Sequence, residues 1–397
     1  MDDADLRRRS EEAPGEVTAE DVRRVVADDG VTRDVAISLN VLAERAPETA
    51  AAVVEAFADA PDRQGLEVLA AVSNADPDLV APVAPAVRDA LDGDAPEVAL
   101  AVLASLAADR PEAVTPATER LGRFLTDGYA FEREPAVECC LDLAASAPES
   151  LVSIVPALLE VADAEPLETD ADIGVDDREL REEVRQQMTS AAMGRNLERA
   201  NAAAAVEAAA NADPEAVRPH AERLAELGTG SDSGPVRAFS LGALAAVAGA
   251  DPEAARPALD GVAAVLATDE DEVARGKAAR VLAAVADADP EAVAAVVSDV
   301  APAADLLAAD LAQTRGAGAA LLSYLAEVRP EDVAAHAPVL RERAGDADEE
   351  TYVRGSAVWA LMYADPAANR EFVRGLAESD PDGDVRAAAA EALELAA

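Results

Sequence analysis

Residues 272–291 read EVARGKAARVLAAVADADPE, and two nearby stretches say almost the same thing. They are PVRAFSLGALAAVAGADPE at 235–253 and QTRGAGAALLSYLAEVRPE at 313–331. Within 275–286, Ala278, Val281, Leu282 and Val285 recur at i, i+3, i+4 and i+7, the stripe of an amphipathic helix. Asp289-Pro290-Glu291 then supplies a capping Asp, a Pro at the first helical position and a Glu in the first turn. The unit therefore reads as helix, tight turn, helix. No stretch alternates as a strand would.

The same Pro recurs along the chain at Pro47, Pro77, Pro111, Pro148, Pro214, Pro252, Pro290, Pro330 and Pro366, in steps of 30, 34, 37, 66, 38, 38, 40 and 36. A ladder of arginines keeps register with it. Arg133, Arg199, Arg237, Arg275 and Arg315 each stand 15 residues before their Pro, with Arg33 at 14 and Arg354 at 12. A period in the high thirties signals a repeat array, in which each unit buries its apolar face only against its neighbours. Nine helix pairs are expected, near 31–60, 62–93, 95–127, 130–163, 193–228, 234–268, 270–309, 311–345 and 350–379. A polar helix near 17–28, after an N-terminal tail, is expected to cap one end, and a helix over 382–396 the other. The step of 66 marks an acidic insertion at 164–192, read as a loop to about 175 and a separate extra helix to about 190. Pairs 1–4 then occupy 31–163 and pairs 5–9 occupy 193–397, with GTGSDSGP at 228–235 as an inter-repeat loop.

The run Val-Arg-x-x-Ala-x-x-Ala-Leu, with an acid nearby, stands at Val236-Arg237…Leu244, Val353-Arg354…Leu361 and Asp384-Val385-Arg386…Leu393. It resembles HEAT repeats, in particular the phycobilisome-lyase-like kind. The resemblance covers about residues 31–397 and implies an all-α, HEAT-type α-solenoid, a right-handed superhelix of about nine helix pairs. Armadillo-type packing is the neighbouring alternative. Aligned arginines in HEAT proteins form structural ladders, and that is the role expected here, with acids such as Asp232, Asp271, Asp348 and Asp384 pairing either with them or with neighbouring backbone.

The 397 residues carry 79 acids against 33 bases, a net charge of −46, and Lys277 is the only lysine. The acids lie within apolar-periodic segments rather than in a tail, so the composition resembles that of haloarchaeal proteins. Molar salt shortens the Debye length to about 3 Å and screens such self-repulsion. Folding that requires high salt is expected. There is no apolar N-terminal stretch and no long apolar run, so a cytoplasmic protein with no membrane partner is expected.

Chemistry finds little support. His220 and His336 are the only histidines, each six residues after its Pro and three repeats apart, too far to share a metal. Cys139-Cys140 falls where other units hold core residues. DADIGVDD at 170–177 fails as a calcium loop, because position 5 is Gly174 and position 12 is Arg181. The His-Glu pairs of HEAT-fold di-iron hydroxylases are missing. A strongly acidic chain is a poor ligand for phosphates, so no nucleic acid is expected. No cofactor is expected either.

Two groups of residues point instead to a protein partner. Trp359, the only Trp, stands where other units hold Ala204, Gly242, Arg280, Ala320 and Glu391, a mix that predicts a solvent-facing position. Tyr352 and Tyr363 share its helical stripe, and exposed aromatics are typical interface anchors. Arg218, Arg256 and Arg370, each four residues after a Pro, with Arg120 and Arg223 at nine, line the face of the second helices. The expected function is a non-catalytic scaffold or adaptor that holds a segment of another protein in the groove of second helices, in a regulatory or taxis-type signalling complex. The alternative is a lyase-like enzyme subunit or cofactor-lyase chaperone.

Overall fold

The computed structural model describes residues 1–59, 61–167 and 178–395. Every regular element among them is an α- or 3-10 helix. The chain divides into two compact units, Met1–Ala209 and Ala210–Ala397.

The first unit begins with two helices, α1 (Asp3–Glu12) and α2 (Ala19–Asp29). A capping box starts α2: Thr18 Oγ1 accepts the Asp21 N–H at 3.2 Å and Asp21 Oδ2 accepts the Thr18 N–H at 3.1 Å. The sequence reading missed α1, because Leu6 is the only large apolar residue among its ten. Asp2 caps it, Leu6 is fully buried, and the helix packs on α3 (Arg33–Arg45). The helix pairs follow. Their first helices include α4 (Arg63–Ser73), α5 (Pro96–Ala107) and α6 (Ala130–Ser146), each packed on the one before it.

One long helix, α7 (Arg178–Ala212), spans 35 residues. This corrects the expectation of an extra helix ending near 190 and a separate one starting at 193. Nothing in TSAAMGRNLERA can stop a helix: it contains no Pro, and a single Gly194 costs about 1 kcal/mol without breaking the ladder. The acidic DADIGVDD motif and most of the expected loop lie outside the described residues.

The second unit stacks α8 (Gly234–Ala250), α9 (Glu272–Ala286), α10 (Ala312–Val328) and α11 (Thr351–Ala364), closed by α12 (Gly383–Leu395). Glycines let the first helices approach closely. A Cβ on Gly276 would sit 2.9 Å from Thr314 Oγ1, and one on Gly316 would collide with the Tyr352 ring.

The second helices depart from expectation. Those at Pro47–Ala58 and Pro366–Ser379 are continuous. The others are interrupted, as in Pro214–Val217, a 3-10 turn at Arg218–His220, and Ala221–Gly230. The reason is a second proline. Pro82, Pro116, Pro219 and Pro257 each follow the first by five residues, Pro156 and Pro338 by eight and Pro302 by twelve; the two continuous helices have none. A proline donates no N–H and clashes with the carbonyl one turn back, so the α-helix restarts there.

Candidate protein-interaction surface

Three of the ladder arginines, Arg237, Arg315 and Arg354, are inter-repeat latches. Arg237 forks onto Asp269 at 2.6 and 2.8 Å and donates to the Ser231 carbonyl at 2.9 Å. Arg315 does the same with Glu349, at 2.5 and 2.8 Å, and with the Ala309 and Asp310 carbonyls, both at 2.8 Å. Arg354, almost fully buried, pairs with Asp380 and with the Ala344 carbonyl. Arg237 and Arg315 thus tie the loop before their own helix, and Arg354 the last turn of the preceding helix, to a carboxylate before the next first helix. That carboxylate also braces the turn that enters the next helix: Asp269 accepts from Asp271 N–H, Glu349 from Glu350 N–H and Asp380 from Asp382 N–H. The acids expected as partners stand beside these. Asp271 takes the backbone alternative and caps its own helix through the Val273 and Ala274 N–H groups. The Arg237 and Arg315 forks hold the Asp269 and Glu349 carboxyls below their ordinary range.

In the first unit, Arg133 reaches Glu198 at 3.1 Å, and Arg199 donates to the Ala162 carbonyl and Asn196. Arg275 is half-buried, and its Nε is buried without an acceptor among the described residues.

The arginines of the second helices are tied as well. Arg218 bridges Glu215 and, in the next repeat, Asp251 at 3.2 Å; Arg256 bridges Glu253 and Asp289 at 2.9 Å. Arg120 donates to the Arg88 carbonyl and lies near Asp89 and Asp92, and Arg223 pairs with Glu226. Arg370 is half-buried. The groove between Ala221–Gly230 and the following repeat has a volume of about 490 Å³ and is walled by Ala225, Thr229, Pro257, Ala258 and Gly261. Its Thr229 hydroxyl is already bonded to the Ala225 carbonyl. The groove presents small apolar side chains and the two carboxylates of Glu222 and Glu226, with no row of cations.

The aromatic stripe is on the outer face of the first helices. Tyr352, Trp359 and Tyr363 fall on one side of α11. Trp359 and Tyr363 stack with ring centroids 5.8 Å apart and planes at 28°. The indole is half-buried rather than solvent-facing, because the Tyr363 ring covers part of it. Tyr352 is 49% exposed, its inner edge resting on Gly316 of α10. Beside them on α10, the Tyr324 hydroxyl donates to Asp287 at 2.7 Å. Burial, with that bond, pushes its phenol up to about 12. Glu327 lies close enough to Tyr324 and Tyr363 to raise both phenols, and burial raises the Glu327 carboxyl itself. The structure gathers the three α11 aromatics together and keeps Arg218 and Arg256 apart from them, on second helices of other repeats.

One register escaped the sequence reading. The residue two before the ladder arginine is exposed at six of the seven ladder positions, Phe131 and Leu197 in the first unit and Pro235, Val273, Gln313 and Tyr352 in the second, while Val31, before Arg33, is half-buried. Five of these six are apolar. The arginine register was the signal that could have located them.

Cys139 and Cys140 are fully buried, and burial drives both thiols up, Cys140 to about 12. His220 is half-buried, and burial lowers its pKa. Among the described residues, no group of three or more His, Cys, Asp and Glu is placed to hold a metal ion. No described helix is long and apolar enough to cross a membrane.

No protein-family model matches the chain, and no curated relative does. Solved structures do. An engineered protein from the Northeast Structural Genomics Consortium is 20% identical with a TM-score of 0.59, covering 99% of this chain and 94% of that one. A chain from work on a conserved phosphorylation switch that controls the interaction between cadherin and beta-catenin is 14% identical with a TM-score of 0.63, covering 98% and 89%. At such identities the likeness shows the fold alone, an α-solenoid of armadillo/HEAT type.

Proposed function

We propose that this chain is a non-catalytic protein-interaction scaffold whose anchor is the α11 aromatic stripe. The observation that carries the reading is the stacked Trp359–Tyr363 pair beside a half-exposed Tyr352, in a chain with only 3% aromatic residues. Large aromatics on a rigid helix lose little entropy on binding and dominate interface energetics. The solenoid fold supports the reading by analogy: a neighbour comes from work on an interaction between cadherin and beta-catenin. The contact is placed on the outer face of the first helices, because the arginines of the second helices are already neutralised by acids. The repeats are assigned to the HEAT type, and the chain to a high-salt cytoplasm, where apolar anchors outlast long-range charge. A regulatory or signalling assembly is the setting proposed.

The test is affinity capture of tagged protein in molar KCl, with Trp359→Ala beside wild type and mass spectrometry of what co-purifies. A stoichiometric protein present with wild type and lost with the variant is the expected result. A partner retained equally by both would move the anchor off α11, and no stoichiometric partner would sink the scaffold reading.

A further inference from the structure

The first unit carries an apolar patch that the α11 stripe does not explain. Tyr129 is 71% exposed and Phe131 59%, at the start of α6; Met193 is 68% exposed and Leu197 61%, on α7. Phe131 and Leu197 hold the same register, each two residues before its ladder arginine. The Arg133–Glu198 bond at 3.1 Å sets the two helix segments side by side. Tyr129 stacks on Phe131, centroids 5.5 Å apart and planes 3° off parallel, so the pair is one flat apolar block. Met193 lies one turn from Leu197 on the same side of α7. Gly194 between them is open, with nothing within 4 Å of the place a Cβ would take, so a partner's backbone can approach the helix there.

The surroundings are acidic. Within about a turn of the patch stand Asp127, Glu132, Glu134 and Glu198 against Arg133, Arg195 and the buried Arg199. Arg133 and Arg195 are both bound to Glu198, at 3.1 and 3.2 Å, so Asp127, Glu132 and Glu134 make up the rest of the rim and the surface carries two more carboxylates than guanidiniums. The four exposed side chains present on the order of 500 Å² of surface, more than single scattered residues would and less than the roughly 800 Å² per partner of a stable interface. A second copy of a chain with net charge −46 would bring the same repulsion to the face. Adjacent packed helices lie about 8–10 Å apart, which matches two helical turns of a ligand at 1.5 Å per residue.

We propose that this face binds a basic amphipathic helix from a partner protein, with apolar anchors two turns apart seated on Phe131 and Leu197 and Lys or Arg residues over the acidic rim. The surface is separate from the α11 stripe and does not depend on it.

The probe is a labelled amphipathic peptide of about 20 residues with Leu and Phe at i, i+4 and i+7 and Lys on its flanks. A second peptide keeps the apolar positions and replaces each Lys by Glu. Anisotropy is read with the full chain in about 0.7 M KCl, above the salt expected to be needed for folding and low enough to leave short-range charge pairing measurable. The basic peptide should bind about tenfold or more tightly than its acidic counterpart. The uncharged double variant Phe131→Ser/Leu197→Ser should lose about tenfold, as should Tyr129→Ser/Met193→Ser, which guards against one variant failing to fold. Trp359→Ala should bind as wild type. Equal affinity for the two peptides, binding to neither, or unchanged binding by both double variants would overturn the proposal. So would loss of binding in Trp359→Ala, which would assign the peptide to α11. Sedimentation showing a wild-type dimer that Phe131→Ser/Leu197→Ser makes monomeric would give the face to a second copy instead.

Discussion

The Arg315 guanidinium forks onto both oxygens of Glu349, at 2.5 and 2.8 Å, while the same carboxylate accepts the Glu350 N–H at 2.9 Å. One acid therefore joins two repeats and braces the turn that enters the next helix. The Glu349 side chain is 1% exposed. A buried pair of this kind is costly to break from one side, because the surviving charge is left without its counterpart.

Glu349→Gln should accordingly destabilise the chain by about 3 kcal/mol. Removing any acid from so acidic a chain also relieves self-repulsion. Glu350→Gln, next along the chain and outside the fork, is the matched control and should change little. Urea unfolding midpoints at one fixed KCl concentration check this. Equal midpoints for the two variants would show that the fork adds nothing.

The Arg237–Asp269 fork predicts a pH dependence with a definite sign. Its hydrogen bonds hold the Asp269 carboxyl below the ordinary value near 3.8. The unfolded chain then binds the proton first as pH falls. The fork's contribution is fully present above the ordinary carboxylate range and is lost as pH drops through the folded pKa. Wild type should therefore exceed Asp269→Asn in stability at neutral pH, with the gap closing below the ordinary range. Taking the difference cancels most of the chain-wide loss of repulsion. A gap that stayed constant down to strongly acidic pH would show that the fork does not perturb Asp269.

Two glycines should respond oppositely to alanine. A Cβ at Gly316 meets the Tyr352 ring, so Gly316→Ala should cost about 1–3 kcal/mol and displace that tyrosine. A Cβ at Gly194 meets nothing within 4 Å, so Gly194→Ala should stabilise by about 1 kcal/mol. Thermal melts at constant salt compare them; a stabilising Gly316→Ala would contradict the α10–α11 packing described.

Salt should govern folding. Dialysis from molar KCl to below about 0.5 M lengthens the Debye length and should melt the helices. Far-UV circular dichroism reads this directly. An unchanged spectrum at low salt would remove the case for a high-salt protein.

The helix-pair plan was legible because it is local. Ala278, Val281, Leu282 and Val285 mark a helical stripe, and Asp289-Pro290 marks the next start, whatever lies around them. The kinks of the second helices went unread, although Pro219 and Pro257 carry a local signal in the missing N–H that acts on their own turn. The α7 continuity followed from a missing breaker, a weaker signal than a present one. Helix α1 had almost no signal, because its single Leu6 gains its value only by burial against α3.

By itself the sequence determined the fold class, the repeat register and the positions of the ladder arginines, since periodicity, proline and capping chemistry operate within a turn or two of the chain. Only the tertiary structure decided what those residues meet. It joined Arg237 to Asp269 and Arg315 to Glu349, partners 32 and 34 residues away. It neutralised the arginines of the second helices, laid Tyr363 over Trp359, and joined Arg133 to Glu198 across a sequence gap. Those outcomes depend on which loop the stacking of one repeat on the next brings within hydrogen-bond reach, a distance that no local pattern encodes.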